Sequence, residues 1–377
     1  MNIETLETTL TTACNLACSY CHQGGPRPRS IPWDVLRISI DRLGASEADE
    51  RTLALTGGEP LLEWPLVQRA VEYAQESSSG PKPLRVSLTT NGMLLDHEKT
   101  AFLVAHDVEV QISLDGIREA HELRAPGTFD VLDELLVRLR RDHASWFRNR
   151  LAVGMVLTSA NLLFLSRSIE YLLDRGVESI RVGPLLTHDE GWGRASEAEL
   201  ERQMEGVFDL CLAHHGRTGT IPFELFRRPP TPPEPRPDRP VCKVRAPETQ
   251  AVGVDGSRAG CALLLPLDAG GTRAGPMLGE WIARSDWPGL RRDRYSGSRQ
   301  CRDCEFVEEC LTCPVASANI PGNTDSRRVP DFNCAFNRIT GLFRRHFPPV
   351  AGTRDLLMAD DPLPSAMTDL AKALGVM

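Results

Sequence analysis

Short β-rich runs alternate with amphipathic helical patterns from residue 4 to residue 215, and this alternation limits the fold more than any other feature. It is typical of parallel βα units, in which each helix returns the chain to the same end of a sheet. Six such units are too few to close an eight-stranded barrel. We therefore expect an α/β fold with an open, partial (β/α)6 TIM-like barrel, and an active site at the carboxyl ends of its strands. Strands are predicted at residues 4–11, 51–56, 84–90, 108–114, 151–157 and 179–185, and helices at 32–43, 64–75, 98–105, 128–143, 161–175 and 197–215.

Three cysteines follow the first predicted strand with the spacing C-x3-C-x2-C, at Cys14, Cys18 and Cys21. These intervals are too short for a disulfide framework, and the set is one ligand short of a tetrahedral zinc site. Three thiolates on one tight loop can hold three corners of a cubane [4Fe–4S] cluster and leave the fourth iron open to an outside ligand. A zinc knuckle, or thiols without a shared role, is the alternative interpretation.

Polar or glycine-rich segments also lie at the carboxyl ends of the next three predicted strands. Glycines let a backbone approach a ligand closely, and inward polar groups are costly unless they meet a ligand or one another. Residues 111, 113 and 115 share one face of the fourth strand because side chains alternate along a strand. The segments are Gly57-Gly58-Glu59-Pro60, Thr89-Thr90-Asn91-Gly92 and Gln111-Ile112-Ser113-Leu114-Asp115-Gly116, the last continuing through His121, Arg124 and Gly127-Thr128-Phe129.

Taken together, the cysteine spacing and these segments resemble the radical S-adenosylmethionine (AdoMet) superfamily. The resemblance implies that AdoMet chelates the open iron and is cleaved reductively to a 5′-deoxyadenosyl radical that abstracts hydrogen from substrate. It also implies that Arg124 pairs with the methionyl carboxylate and that Tyr20 lies against the adenine. The implied AdoMet contacts are Tyr20, Gly57, Gly58, Glu59, Pro60, Asn91, Ser113, Asp115 and Arg124. The alternatives are that Asp115 caps the next helix, Arg124 is a surface charge and Tyr20 is a core aromatic.

A second set of cysteines lies beyond residue 240, in the layout C-x13-G-x4-C, C-x2-C-x5-C-x2-C and a final cysteine. The layout resembles the SPASM domain, a small extension with two auxiliary [4Fe–4S] clusters, and Val254-Asp255-Gly256 predicts a β-hairpin turn before Cys261. The resemblance implies a distal cluster on Cys301, Cys304, Cys310 and Cys334, and a proximal cluster on Cys242, Cys261 and Cys313. The x2 interval before Cys313 departs from the usual x3. A pair of zinc sites is the alternative.

The domain prediction places the barrel at residues 1–215, a proline-rich linker at 216–240, the SPASM domain at 241–346 and a helical tail at 347–377. The linker is too rich in proline for a helix or a central strand. Cys211 lies on a helical pattern within the barrel, and we interpret it as a buried small apolar residue.

Composition excludes several classes of partner. The chain has 377 residues and a net charge of −8, which gives no general attraction to nucleic acid. It has no apolar run long enough to span a membrane and no signal-peptide pattern at Met1, so we expect a cytoplasmic protein. In a reducing compartment its eleven cysteines are expected to bind metal rather than to form disulfides.

The predicted function is that of a radical AdoMet and SPASM maturase that oxidatively modifies or crosslinks a residue of a ribosomally made precursor peptide. Auxiliary clusters would remove the electron that remains after hydrogen abstraction. Expected partners are the precursor peptide and a reductant such as flavodoxin or ferredoxin. Because no winged recognition domain precedes the first strand, the leader peptide is expected either to bind the barrel or SPASM surface or to be presented by a separate leader-recognition protein. The alternatives are a formylglycine-generating sulfatase-maturing enzyme, a dehydrogenase of a sugar or aminocyclitol, and a cluster-bearing electron carrier. No catalytic base is assigned, and His188, Asp189 and Glu190 are interpreted as a solvated loop.

Overall fold

The computed structural model describes residues 2–21, 28–77, 84–227, 248–265, 299–307, 310, 312–325 and 327–348. Six parallel strands in the order β6-β5-β4-β3-β2-β1 form the centre of one sheet, which confirms the predicted α/β organisation. The strands are β1 (Thr5–Thr11), β2 (Thr52–Gly57), β3 (Arg85–Thr90), β4 (Glu109–Ser113), β5 (Leu151–Leu157) and β6 (Ile180–Pro184). The helices up to residue 218 are α1 (Trp33–Gly44), α2 (Trp64–Glu76), α3 (His97–Ala105), α4 (Arg118–His121), α5 (Phe129–Asp142), α6 (Ala144–Arg150), α7 (Leu165–Asp174) and α8 (Arg194–Thr218).

Each predicted strand is present with its ends within one residue of the prediction. The predicted helix at 161–175 begins with a 3-10 turn, Leu162–Phe164, before α7. The short helices α4 and α6 were not predicted, because neither is long enough to repeat apolar residues at the i, i+3, i+4 and i+7 positions that mark an amphipathic helix.

Alternation along β4 shows how the sheet separates its core from its site. Val110 and Ile112 are almost fully buried and belong to the apolar core that the helices cover. Gln111 lies between these two residues and Ser113 follows Ile112. Both are half-buried on the opposite face of the sheet, which we call the inner face. The strand period of two thus places apolar side chains under the helices and polar side chains inside the partial barrel.

Part of the second cysteine region joins the same sheet. β7 (Thr249–Val252) lies parallel to β1, and β8 (Arg258–Ala259) returns antiparallel to β7. The predicted hairpin turn is confirmed, since Gly253 N donates to Ser257 O at 2.9 Å and Gly256 has a φ of +79°. The pairing of β7 with β1 was not predicted, because a four-residue strand carries little periodicity of its own.

The remaining described helices are α9 (Arg299–Arg302), α10 (Pro314–Ala318) and α11 (Asp331–His346). α11 packs on α8, and the ring of Phe343 lies 5.8 Å from that of Phe208. At its amino end Phe332 stacks on Trp192 at 4.4 Å. These side chains belong to the same buried core as the barrel. No helix within the described residues is long and apolar enough to cross a membrane.

The chain remains part of the barrel beyond residue 216. α8 continues to Thr218, and the segment after it pairs with β6, where Ile180 N donates to Pro222 O at 2.8 Å. Residues 216–223 of the predicted linker therefore contact the barrel sheet. Residues 228–240 of the predicted linker, Cys242, and residues 349–377 of the predicted tail lie outside the described residues, and the domain division stays a prediction.

Candidate functional site

The three cysteines of the C-x3-C-x2-C motif all lie on the loop after β1, at the carboxyl end of the sheet. Burial raises the pKa of the Cys14 thiol, and the neighbouring Glu59, Cys21 and Cys18 raise it further. Ligation to a cation would favour the thiolate form of Cys14 and neutralise its negative charge. Three thiols are also the donor set for a [4Fe–4S] cluster with one open iron, so the residues present fit that group.

Gly57 and Gly58 hold this loop in place. Gly58 N donates to Thr11 O and Glu59 N donates to Ala13 O, both at 2.8 Å. A Cβ atom at Gly58 would lie 2.1 Å from Ala13 O, and one at Gly57 would lie 2.4 Å from Thr11 O. The glycines are therefore required by the approach of the loop backbone, whereas their predicted contact with AdoMet stays a prediction.

Glu59 joins the loop after β2 to the loop after β3. Its side chain is fully buried, and its carboxylate accepts from Thr90 Oγ1 and Asn91 N at 2.7 Å and from Leu61 N at 3.0 Å. Burial raises the pKa of this carboxyl, although the three hydrogen bonds oppose that shift. Pro60 is buried at the start of the 3-10 turn Pro60–Glu63. Both residues stabilise the backbone, and a direct contact with AdoMet stays a prediction for each.

Asn91 reaches the cysteine loop from the end of β3. Its Nδ2 atom donates to Asn15 Oδ1 at 2.8 Å and lies 3.8 Å from Cys14 Sγ. Its Oδ1 atom accepts from Met93 N at 3.0 Å, which fixes the amide orientation. The sequence placed Asn91 on the rim of the site, and its contact with a cysteine sulfur appears only in the structure.

Tyr20, Asp115 and Arg124 form one buried group between the cysteine loop and β4. The Tyr20 hydroxyl donates to Asp115 Oδ2, and Val156 N donates to Asp115 Oδ1 at 3.0 Å. The Arg124 Nη1 atom lies 3.8 Å from Asp115 Oδ1, and its Nε atom donates to Cys18 Sγ at 3.4 Å. Burial raises the pKa of Asp115 and of Tyr20. Arg124 is therefore not a surface charge, and Asp115 accepts from β5 rather than capping a helix.

His121 has a structural role that the sequence motif did not reveal. Its Nδ1 atom accepts from Asp115 N at 3.2 Å, and its Nε2 atom lies 2.9 Å from Thr128 Oγ1. The Thr128 hydroxyl donates to Ala125 O at 2.7 Å, so His121 Nε2 must carry a hydrogen and donate to Thr128. The ring is neutral, because burial and then the charge of Arg124 lower its pKa to about 4.

We expect this histidine to make the protein less stable in acid. Its folded-state pKa of about 4 lies below the ordinary value of 6.5, so the folded state binds fewer protons between these values. The free energy of unfolding should fall as pH drops through this window, by about 3 kcal/mol from this residue. In His121→Gln the slope between pH 4 and pH 6.5 should be shallower in urea unfolding of the metal-free protein. Equal slopes in the two proteins would contradict the buried neutral ring.

An open pocket of about 330 Å³ lies beside this group on the inner face. Ser113 lies in it, as the period of β4 predicted. Gly154 and Gly183 widen it on β5 and β6, and Arg181 Nη1 donates to Gln111 Oε1 at 3.1 Å across it. Sequence reasoning missed the residues from β5 and β6, although their alternation along each strand could have identified the inward positions. The lining residues are Tyr20, Gln111, Ser113, Arg124, Gly154, Met155, Val156, Arg181, Val182 and Gly183.

Four cysteines of the second set surround a small cavity of about 20 Å³. They are the four predicted to bind a distal cluster, namely Cys301, Cys304, Cys310 and Cys334. Burial raises the pKa of Cys334 to about 11, and Cys301, Cys310 and Cys304 raise it further, which reflects their proximity. Four thiols are the donor set of a [4Fe–4S] cluster, so these residues fit that group.

The other predicted cysteine ligands are not brought together in the same way. Cys261 and Cys313 are half-buried and do not line the four-cysteine cavity. Cys242 lies outside the described residues, so the proximal set stays a prediction. The fit of the two cysteine sets described above is one of donor type and number, because among the described residues no three His, Cys, Asp or Glu side chains are grouped closely enough to hold a metal ion. Cys211 is fully buried, as expected, and burial raises its pKa to about 12.

The polar loop after β6 is only partly solvated. His188 and Glu190 are exposed, as the loop interpretation requires. Asp189 instead accepts from Ser159 N at 2.7 Å and from Ser159 Oγ at 2.5 Å, and so ties the loop after β6 to the loop after β5.

Residues 8–145 match the family model described as the Radical SAM superfamily. The chain is 29% identical over 206 residues to a probable GTP 3',8-cyclase of Sulfurisphaera tokodaii, a match that covers 55% of this chain and 63% of that protein. The chain also spans less than two thirds of the length of other curated relatives of comparable similarity, at 59% and 64%.

Similarity to solved structures extends over more of the chain. The structure of native anSMEcpe with bound AdoMet and Kp18Cys peptide has a TM-score of 0.67 and 17% identity, covering 89% of this chain and 96% of that one. Streptococcus suis SuiB bound to precursor peptide SuiA has a TM-score of 0.58 and 15% identity, covering 88% and 76% respectively. At this identity the similarity shows the fold. The family match and the cysteine loop indicate a radical SAM superfamily domain within residues 8–145, which make up less than half of the chain.

Proposed function

We propose that this protein is a radical AdoMet enzyme that oxidatively modifies a residue of a ribosomally made precursor peptide. A cluster on Cys14, Cys18 and Cys21 would supply, with AdoMet, a 5′-deoxyadenosyl radical. The observation that carries the peptide-oxidising part is the cavity that four further cysteines surround, one of which lies on α11, a helix whose apolar face belongs to the barrel core. Such a site offers an exit for the electron that remains on the substrate after hydrogen abstraction.

Residues of the barrel would bind and orient AdoMet beside the cysteine loop. Ser113, Tyr20 and Arg124 line the inner-face pocket, and Asp115 holds the latter two in position. Gly57, Gly58, Glu59, Pro60 and Asn91 form the rim along the same edge of the sheet. The convergence of all nine proposed contacts at the carboxyl ends of β1 to β4 supports this assignment.

Helix α11 supports a link between the second cysteine site and the barrel. It carries Cys334 of the four-cysteine cavity and, one residue earlier, Asn333, whose Nδ2 atom donates to Leu185 O after β6 at 3.5 Å. The helix that carries a cysteine of the cavity therefore contacts the chain just after a barrel strand. We propose a SPASM-like extension in which Cys301, Cys304, Cys310 and Cys334 hold a distal cluster, and Cys242, Cys261 and Cys313 hold a proximal one.

In the proposed oxidation, hydrogen abstraction leaves a carbon radical on the peptide. Loss of one further electron to an auxiliary cluster and of one proton to solvent, with formation of a new bond, gives a product lighter by two hydrogens. Two solved structures with this fold are described with a bound peptide, which supports a peptide as the substrate class. A reductant such as flavodoxin or ferredoxin and a leader-recognition protein complete the proposed set of partners.

The test uses anaerobically reconstituted protein, AdoMet, a reductant and short peptides encoded beside its gene. Wild-type protein should convert a peptide to a product two hydrogens lighter, measured by mass spectrometry. Cys304→Ala should still cleave AdoMet to 5′-deoxyadenosine but give at least about tenfold less product, because the electron exit is lost. Cys211→Ala, a matched change at a buried cysteine outside the site, should retain both activities once its fold is verified. Full product formation by Cys304→Ala would contradict the proposed electron route.

Conversion of a substrate other than a peptide would assign a different function to the same radical chemistry. A nucleotide is the second candidate, because a curated relative is named as a probable GTP 3',8-cyclase. That match covers 55% of this chain and therefore concerns the barrel more than the second cysteine region. Conversion of GTP, an aldehyde on a peptide Cys or Ser, or oxidation of a sugar or aminocyclitol would each replace peptide crosslinking as the activity.

A further inference from the structure

Arg124 contacts the cysteine loop itself. Its Nε atom donates to Cys18 Sγ at 3.4 Å, and only 11% of its side chain is exposed. The backbone around it is tied to the same loop, since Ser19 N donates to Arg124 O at 3.1 Å and Ser19 Oγ donates to Leu123 O at 2.9 Å. The guanidinium and its backbone are thus both hydrogen-bonded to the loop that carries the sulfur.

The orientation of the guanidinium is fixed from its other side. Asp115 lies 3.8 Å from Arg124 Nη1 and is itself held by Val156 N and by the Tyr20 hydroxyl. Asp115 is fully buried, so water does not compete with Arg124 for its carboxylate. Rotation of Arg124 away from Cys18 would leave a buried carboxyl without its cation, which is costly.

A second donor approaches a different sulfur of the loop. Asn91 Nδ2 lies 3.8 Å from Cys14 Sγ, and Asn91 N donates to the buried carboxylate of Glu59 at 2.7 Å. The amide is neutral and its contact is longer, so its effect on a cluster should be weaker than that of Arg124.

Hydrogen bonds to ligand sulfurs and nearby positive charge help to set the reduction potential of an iron–sulfur cluster. Both stabilise the reduced form, which carries one more negative charge, and burial limits screening by salt. We propose that Arg124 and, more weakly, Asn91 raise the reduction potential of the cluster that Cys14, Cys18 and Cys21 would hold. The inference rests on the proposed function. It makes Arg124 a positioning residue that acts through Cys18, separately from the salt bridge to AdoMet that the family resemblance implies.

The test measures the midpoint potential of the loop cluster by redox titration followed by electron paramagnetic resonance, without AdoMet or substrate. The loop signal is defined as the one missing from a protein with Cys14, Cys18 and Cys21 changed to Ala. Arg124→Gln should shift this potential to a more negative value, whereas Arg124→Lys should shift it less because the charge remains. Asn91→Ala should give a smaller negative shift. The matched control Arg118→Gln, at an exposed arginine on α4, should give none.

The outcomes separate this inference from the proposed function. The proposed function itself fails if every resonance signal of the wild-type protein is still present after Cys14, Cys18 and Cys21 are changed to Ala. If Arg124→Gln keeps its iron but its potential equals that of wild type, the tuning role is wrong and the radical function stands. If Arg124→Gln does not retain iron, Asn91→Ala decides, and an unchanged or more positive potential in that variant overturns the inference.

Discussion

Replacement of Cys14, Cys18 and Cys21 together by Ala should abolish AdoMet cleavage. These are the three thiols at the carboxyl end of β1, and in the proposed function they hold the one cluster that can bind AdoMet through an open iron. Formation of 5′-deoxyadenosine, measured by liquid chromatography of anaerobic reactions, should fall to the rate without enzyme.

Iron analysis makes the same experiment quantitative. Wild-type protein should bind about twelve irons if three clusters are present, and the triple variant should lose about four of them. The remaining iron would then belong to the second cysteine region, where four thiols surround a cavity. AdoMet cleavage at a normal rate in the triple variant would show that the assignment of this loop is wrong.

The change Gly58→Ala should remove most activity with the addition of a single methyl group. The added Cβ would lie 2.1 Å from Ala13 O and 3.0 Å from Thr12 O, both backbone atoms of the cysteine loop. Because backbone atoms cannot rotate away as a side chain can, the loop must shift, at a cost of about 1–3 kcal/mol or more. We expect a lower iron content and at least about a hundredfold loss of AdoMet cleavage.

A glycine without close neighbours provides the control for this change. Gly216 lies on α8, and a Cβ there would meet nothing within 4 Å. Gly216→Ala should therefore leave iron content and cleavage unchanged and, because Ala favours helix over Gly, should leave thermal stability equal or slightly higher. Full iron content and normal cleavage in Gly58→Ala would show that the loop is not held by this approach.

The sequence predicted those elements that are specified by patterns within short segments of the chain. The apolar period of two placed all six barrel strands within one residue, because alternation is repeated along each strand. Spacing identified the three cysteines of the loop, and the period of β4 placed Gln111 and Ser113 on the inner face. The hairpin turn at Gly256 was also predictable, since a glycine with positive φ marks such a turn.

Contacts between distant residues depended on the tertiary structure. Tyr20 and Asp115 are 95 positions apart, and Arg124 and Cys18 are 106 apart, so no local pattern could reveal that they meet. Sequence resemblance predicts Glu59 and Arg124 as ligand contacts, and both contacts stay predictions. The fold adds that Glu59 accepts from three internal donors and that Arg124 donates to a cysteine sulfur.

The amino-acid sequence by itself determined which side chains stand at the ends of the strands, because strand period and cysteine spacing are properties of short segments. Only the tertiary structure decided which of them touch, since the carboxyl ends of β1 to β4 meet after the helices have returned the chain across the sheet. The same holds for the four-cysteine cavity: Cys334 reaches Cys301, Cys304 and Cys310 because α11 packs on the barrel helix α8, and that packing depends on the shape of a core to which both regions contribute.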